Sequence, residues 1–241
     1  MLRAPGDALP RKALAEFVGT AFLLVAVIGS GIAAQRLSPN DTGLQLFENA
    51  AATAAALVAV ILAVGAVSGA HLNPVVTLAD RFFGGLSNTE AGVYVASQFA
   101  GAVTGAVVAN LMFSLPAVEL STRHRSGGGL WLAEVVATLG LLLVVFGVVR
   151  SGRTSAAPFA VGAYIGGAYF FTSSTSFANP AVTAARTLSN TFAGIAWESA
   201  PAFVVAQLGG ATLAVLMITA LYPRVADVAA AVVVPHDEAQ L

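Results

Sequence analysis

The sequence predicts an all-α membrane protein with six transmembrane helices and two re-entrant half-helices, arranged as an inverted 3+3 repeat. Three observations predict it. Of the 241 residues, 57% are hydrophobic and only 10% are charged, against about 25% charged in a soluble domain. Six apolar stretches, approximately 13–34, 47–67, 90–113, 130–150, 157–175 and 199–222, approach or reach the roughly 20 residues that cross a bilayer as a helix. One polar phrase, Asn-Pro-x-Val-Thr, occurs twice, in SGAHLNPVVT at 68–77 and in SFANPAVTAAR at 176–186.

Taken in order, the first stretch follows a basic flank, as a cleaved signal peptide would. Its length of about 20 residues and its internal Glu16 argue for a membrane helix instead. A polar loop at 35–46 leads to the second span. Short segments near 74–84 and 180–190 begin at the Asn-Pro pairs and are too short to cross alone. The loop at 114–129 separates the halves, and a tail follows Pro223. The expected organisation is one channel domain over residues 1–222, with repeat one at about 12–113, repeat two at about 130–222, and a C-terminal tail at 223–241.

The halves repeat in sequence. AEFVGTAFLLVAVIGSG resembles AEVVATLGLLLVVFGVV, which sets Glu16 opposite Glu134. VASQFAGAVTGAVVANLM resembles VVAQLGGATLAVLM, which sets Gln98 opposite Gln207. Three spans per half is an odd number, so the second copy is inverted relative to the first. Inverted repeats with interrupted helices build their polar site near the bilayer midplane. Of the 11 Lys and Arg residues, Arg3, Arg11, Lys12, Arg81, Arg150, Arg153 and Arg224 share one side. Arg36, Arg123, Arg125 and Arg186 fall on the other. This bias predicts cytoplasmic termini in a multi-pass cell (inner) membrane protein, with Arg123 and Arg125 dissenting.

A half-helix that starts inside a membrane must border water or protein, because unpaired backbone groups cannot face lipid. Pro74 and Pro180 fit the first helical position, and Asn73 and Asn179 fit the N-cap. Two such helices meeting tip to tip aim both positive dipole ends, and both Asn amides, at one spot. That arrangement suits a neutral hydroxylated molecule and repels cations.

Glu16 and Glu134 are intramembrane carboxylates and therefore functional candidates. Proton coupling is one reading. The other is that each carboxylate accepts backbone N–H groups of a re-entrant loop and holds it. His71 is placed at the inner vestibule, as a pH gate or as a packed, hydrogen-bonded loop residue. GAVTG at 101–105 is a small-residue packing face. No nucleophile stands beside a base, no phosphate-binding loop is present, and the absence of Cys excludes disulfides and thiolate sites. With scattered His71, His124 and His236, no metal, cofactor or enzymatic step is expected. The net charge of −1 gives no reason to expect nucleic acid.

On SGAHLNPVVT, SFANPAVTAAR, Glu16, Glu134 and Gln98, the chain resembles the aquaporin, or major intrinsic protein, family from about 12 to 222. The resemblance implies the aquaporin fold, one pore per subunit, a homotetramer in the lipid bilayer, and passage of small neutral solutes past a central constriction of Asn73, Asn179, Pro74, Pro180, Val75 and Ala181. Val75 replaces the family's usual Ala. The family's usual Arg after the second Asn-Pro-Ala is Val182 here. Counting along gapless stretches puts Thr53, Gly167 and Ser176 at the other filter positions. Thr53/Gly167/Ser176/Val182 implies a wide, uncharged mouth. Arg186, one turn beyond, either reaches that mouth or faces water. Val182 and the run NPAVTAARTLSNTFAGI resemble a bacterial branch accompanying arsenic-resistance functions. The implied solutes are glycerol-like polyols and arsenous acid, As(OH)3, with water passing too. A channel mainly for water is the alternative.

Overall fold

The protein is described here by a computed structural model that covers residues 8–222. The expected tail at 223–241, Arg3, Arg224 and His236 lie outside the described residues. The described chain forms α1 (Ala8–Leu37), α2 (Thr42–Ser68), α3 (Pro74–Phe83), α4 (Asn88–Met112), α5 (Gly128–Arg150), α6 (Ala157–Phe171), α7 (Pro180–Ala185) and α8 (Ala200–Leu221). Six of these cross the membrane, and α3 and α7 are the half-helices. Of the crossing helices all but α6 are long and apolar enough to span on their own. The 15 residues of α6 are prefixed by a 3-10 turn, Thr154–Ala156. Together they rise about 28 Å, close to the roughly 30 Å of bilayer hydrocarbon.

Local chemistry sets the ends. The loop expected at 35–46 shrinks to residues 38–41, because Asp41 caps α2 by accepting from Leu44 N at 2.9 Å. Gly69, at φ 82°, stops α2 in a left-handed turn. A capping box between Ser87 and Glu90 starts α4. The second half-helix is shorter than expected. After six residues it tightens into the 3-10 turn Arg186–Leu188.

The repeat is visible in the packing. Helix α1 lies against α2 and α4 as α5 lies against α6 and α8, and α2 meets α6 between the halves. Close approach depends on glycines, at Gly101 and Gly210 three residues after each Gln and at Gly105 one turn further along α4. A Cβ at Gly101 would stand 2.2 Å from Phe17 O, one at Gly105 2.2 Å from Ala21 O, and one at Gly210 2.5 Å from Val135 O. The GAVTG face therefore packs α4 on α1 within the subunit. Outward faces carry exposed Phe22, Phe47, Leu62, Leu132 and Leu216, as lipid contact requires. The described residues begin and end on one side, called proximal below. The loop between α4 and α5 and the end of α7 lie on the other, distal, side.

Substituting Gly105→Val should destabilise by about 1–3 kcal/mol or more, as overpacked cores do. Thr104→Val, at an exposed neighbour, should change little. Thermal unfolding of the detergent-purified protein reads both; equal melting temperatures would contradict this packing.

Candidate functional site

The site begins with two loops that no helix stabilises. In the first, Ala70 and Leu72 hold φ of 49° and 50°; in the second, Thr175, Ser176 and Ala178 hold 65°, 53° and 48°. Residues with a side chain avoid this left-handed region at a cost of about 1 kcal/mol or more each. The compensation comes from the two buried carboxylates. Glu16 Oε1 accepts from His71 N (2.9 Å) and Ser68 Oγ (2.7 Å), and Oε2 accepts from Leu72 N (2.7 Å) and Gln98 Nε2 (2.8 Å). Glu134 accepts from Phe177 N (2.9 Å), Ala178 N (2.9 Å) and Gln207 Nε2 (2.6 Å). Gln98 and Gln207 each reach on to a half-helix hydroxyl, Thr77 and Thr183, at 2.9 and 2.8 Å. Both carboxylates have no solvent exposure and neither borders the central cavity. This geometry is that of a loop anchor; a proton path would need access to the lumen.

Held this way, the half-helices meet. Asn73 Oδ1 caps α3 through Val75 N (3.0 Å), and Asn179 Oδ1 caps α7 through Ala181 N (3.0 Å) and Val182 N (3.2 Å). The amide nitrogens cross over. Asn73 Nδ2 donates to Ala178 O and Asn179 Nδ2 to Leu72 O, both at 2.8 Å. Each Asn thus grips the left-handed residue of the opposite loop. One N–H of each amide is used in this clamp, and the second remains for the lumen.

Both Asn residues line a cavity of about 60 Å³, room for a few water-sized molecules in a row. Pro74, Val75, Pro180 and Ala181 are buried but stand outside its lining. The extra bulk of Val75 is therefore absorbed by packing behind the constriction. One wall is apolar: Leu23 and Val27 of α1, Leu57 and Ile61 of α2, Leu141 and Val145 of α5, Val161 and Ile165 of α6. His71 borders the cavity from the first loop. Its Nδ1 lies 3.2 Å from Thr77 Oγ1, its ring stands edge-on to Tyr94, and its Nε2 faces Asp80 Oδ2 at 3.8 Å.

The distal mouth departs from the expected one in two places. Thr53, Ser176 and Val182 do line it. Gly167 does not; it is exposed on the outer side of α6. The lumen face of α6 is Val161, Ile165 and Tyr169, spaced by four. Counting back from Asn179 overshoots by two residues, and two residues turn a helix by about 200°, onto the opposite face. Tyr169 takes the place, with its OH 3.2 Å from Thr53 Oγ1. Arg186, expected to face water more readily than the pore, is 2% exposed and borders the cavity. Its guanidinium carbon stacks 3.4 Å from the Phe177 ring centroid, and its Nε donates to Ala193 O. The mouth therefore carries both an aromatic and a cation, supplied from positions other than the counted ones. Ser176 borders this mouth as a residue, but its Oγ is sealed from solvent and has no hydrogen-bond partner among the described residues. No Asp or Glu lines the cavity among the described residues.

A family model described as Major intrinsic protein matches residues 7–176, stopping just before the second Asn-Pro phrase. The chain is 45% identical over 209 residues to Aquaglyceroporin AqpS of Rhizobium meliloti (strain 1021), covering 87% of this chain and 89% of that protein. It is 33% identical over 129 residues to the probable aquaporin NIP7-1 of Arabidopsis thaliana, covering 53% of this chain and 46% of that one. The X-ray structure of the aquaglyceroporin from Plasmodium falciparum matches with a TM-score of 0.68 at 21% identity, over 90% of this chain and 98% of that one, a likeness of fold.

Replacing Glu134→Gln leaves one carboxamide oxygen for two loop N–H groups and turns an N–H₂ toward a donor. Each buried donor left without an acceptor costs about 1–3 kcal/mol. The variant, like Glu16→Gln, should melt earlier and lose flux in step with folded protein, with an unchanged pH profile. Normal stability with a steep change in pH-driven uptake would instead mean proton coupling.

Proposed function

We propose, from the premise that this chain belongs to the major intrinsic protein family and is a multi-pass membrane protein forming a passive channel for small solutes, that the solutes it favours are glycerol-like polyols and arsenous acid, with water also passing. As a channel of this family it is not an enzyme.

The observation that carries the solute reading is the two-sided lumen. Aliphatic side chains of α1, α2, α5 and α6 form one wall, ending distally in the hydroxyls of Thr53 and Tyr169 on the same α2 and α6 faces, while Asn73, Asn179 and Arg186 supply polar atoms from the re-entrant loops and the turn after α7. A polyol has the matching two faces, a carbon chain and a row of hydroxyls. As(OH)3 is uncharged at neutral pH and displays three hydroxyls at similar size. The name aquaglyceroporin carried by the relative in Rhizobium meliloti supports the same class. Two helix N-termini aimed inward and the absence of a carboxylate from the wall among the described residues disfavour cations.

A second reading, a channel mainly for water, draws on Tyr169 and Arg186, which add bulk and charge at the mouth. In the favoured reading these two residues, with Thr53, Ser176 and Val182, are the selectivity filter, and Asn73 and Asn179 are the central constriction. Residues 1–222 act as one channel domain with the tail after it, in a homotetramer in the cell (inner) membrane. The proximal side is cytoplasmic, where Arg11, Lys12, Arg81, Arg150 and Arg153 gather.

Proteoliposome flux, by light scattering for water and glycerol and by arsenic assay for arsenite, separates the readings. Val182→Arg sets a second guanidinium one turn from Arg186. It should cut glycerol and arsenite flux by roughly tenfold, about 1.4 kcal/mol in barrier, and water flux less. Tyr169→Ala should raise glycerol flux relative to water. A Val182→Arg channel that conducts all three solutes as before removes this filter, and native vesicles that pass water but no glycerol favour the water reading.

A further inference from the structure

The distal rim carries more positive charge than solute selection requires. Arg123 and Arg125 sit on the loop between α4 and α5, and Arg186 on the turn after α7. All three turn onto one short piece of chain. Arg123 Nη1 donates to Phe192 O (2.6 Å), Arg125 Nε to Gly194 O (3.0 Å) and Nη2 to Phe192 O (3.3 Å), and Arg186 Nε to Ala193 O. Their planar groups stack on rings, Arg186 and Arg125 on Phe177 and Arg123 on Phe192.

None of the three has a carboxylate within 4.0 Å among the described residues. Glu134 is engaged by Phe177 N, Ala178 N and Gln207 Nε2, and Glu119 by Asn190 Nδ2. Carbonyl dipoles orient these guanidiniums without cancelling their charge. Burial first, and then the neighbouring Arg186 and Arg123, lowers the pKa of Arg125 to about 9, against the opposing pull of Glu134 and Tyr169. Donor capacity is also left over. Both Nη atoms of Arg186, Nη1 of Arg125 and Nη2 of Arg123 make no hydrogen bond among the described residues, and none is sealed from solvent. Guanidinium forks with unused N–H groups match oxyanions.

We propose that this rim is an anion site: a phosphate-class oxyanion docks on the Arg186 guanidinium within the field of Arg125 and Arg123, and slows neutral solutes by standing at the entrance. Arg186 borders the cavity, so an ion on its outer nitrogens occupies the approach to the lumen. The ligand chemistry is shared by free phosphate and by an anionic lipid headgroup. The slowing rests on the channel reading, whereas the binding does not.

Two measurements test it. Inorganic phosphate titrated calorimetrically into the detergent-purified protein at fixed ionic strength should give saturable heat. Binding should weaken about tenfold or more in the double variant Arg123→Gln/Arg125→Gln, given the strength of charged hydrogen bonds. Arg125→Lys, which keeps the charge and the fold but loses the fork, should weaken it less. In phosphatidylcholine vesicles, phosphate replacing chloride should lower glycerol flux saturably in the native protein and less in either variant. Repeating this with phosphatidylglycerol in the vesicles identifies the source: an unchanged phosphate effect marks the free ion, and a diminished one marks the headgroup in the same site. No saturable heat with native protein, or equal affinity in native protein and a folded Arg123→Gln/Arg125→Gln variant, overturns the site. Phosphate binding without any glycerol conduction would remove the solute reading and leave the site standing.

Discussion

Everything in the pore depends on two buried carboxylates accepting the N–H groups of loops that side chains would otherwise refuse to form. Leu72 and Ala178 are held in left-handed backbone conformations, and their N–H groups end on Glu16 and Glu134. In that conformation their carbonyls turn to the opposite loop and receive the Asn179 and Asn73 amides. Remove the carboxylate and the loop relaxes, its carbonyl swings away, and the crossed Asn clamp has nothing to grip. A carboxyl group in the membrane thus serves to hold backbone in place, with every oxygen engaged and no access to the lumen.

The clamp also explains what the channel discriminates. The same geometry that ties the loops points two helix N-termini and two amide groups at one place. A neutral molecule with hydroxyl groups finds donors there and hydrocarbon opposite. On the proposed reading, a cation meets the positive ends of two helix dipoles and then Arg186, which disfavour it. The distal arginines fit this picture. Arg36, Arg123, Arg125 and Arg186 each donate to backbone carbonyls, so they act as braces of the distal loops. Their number on that side weakens the charge bias along the sequence without reversing the orientation it suggests.

What could be read from the sequence follows a physical pattern. Polar residues in an apolar chain stand out, so Asn73, Asn179, Glu16, Glu134 and Gln98 were visible, and their recurrence exposed the inverted repeat. Positions inferred by counting were less secure. Gly167 and Tyr169 differ by two residues and about 200° around α6, and a length change in the following loop leaves no mark on local composition. Local sequence leaves Arg186 with two readings, at the mouth or facing water, because an Arg after a short helix can also serve its C-terminus. Only the fold brings Phe177 and the Ala193 carbonyl against it. The hydrogen bonds of Arg123 and Arg125 cross 67–69 residues of chain, beyond any local pattern. The span expected over 157–175 ends at Phe171, because Thr172, Ser173, Ser174 and Thr175 belong to the re-entrant loop, and the missing length is supplied on the other side by the 3-10 turn Thr154–Ala156.

The most direct test of the clamp-centred lumen uses the fact that the chain contains no cysteine. Val76 borders the cavity beside Asn73, whereas Val75, its neighbour, packs behind the constriction. Single variants Val76→Cys and Val75→Cys would be treated with the small neutral reagent methyl methanethiosulfonate, and glycerol flux followed in proteoliposomes. Loss of most flux at position 76 with little change at 75 is the result expected if solutes pass between the two loop tips. Equal sensitivity at both positions, or block at 75 alone, would contradict it.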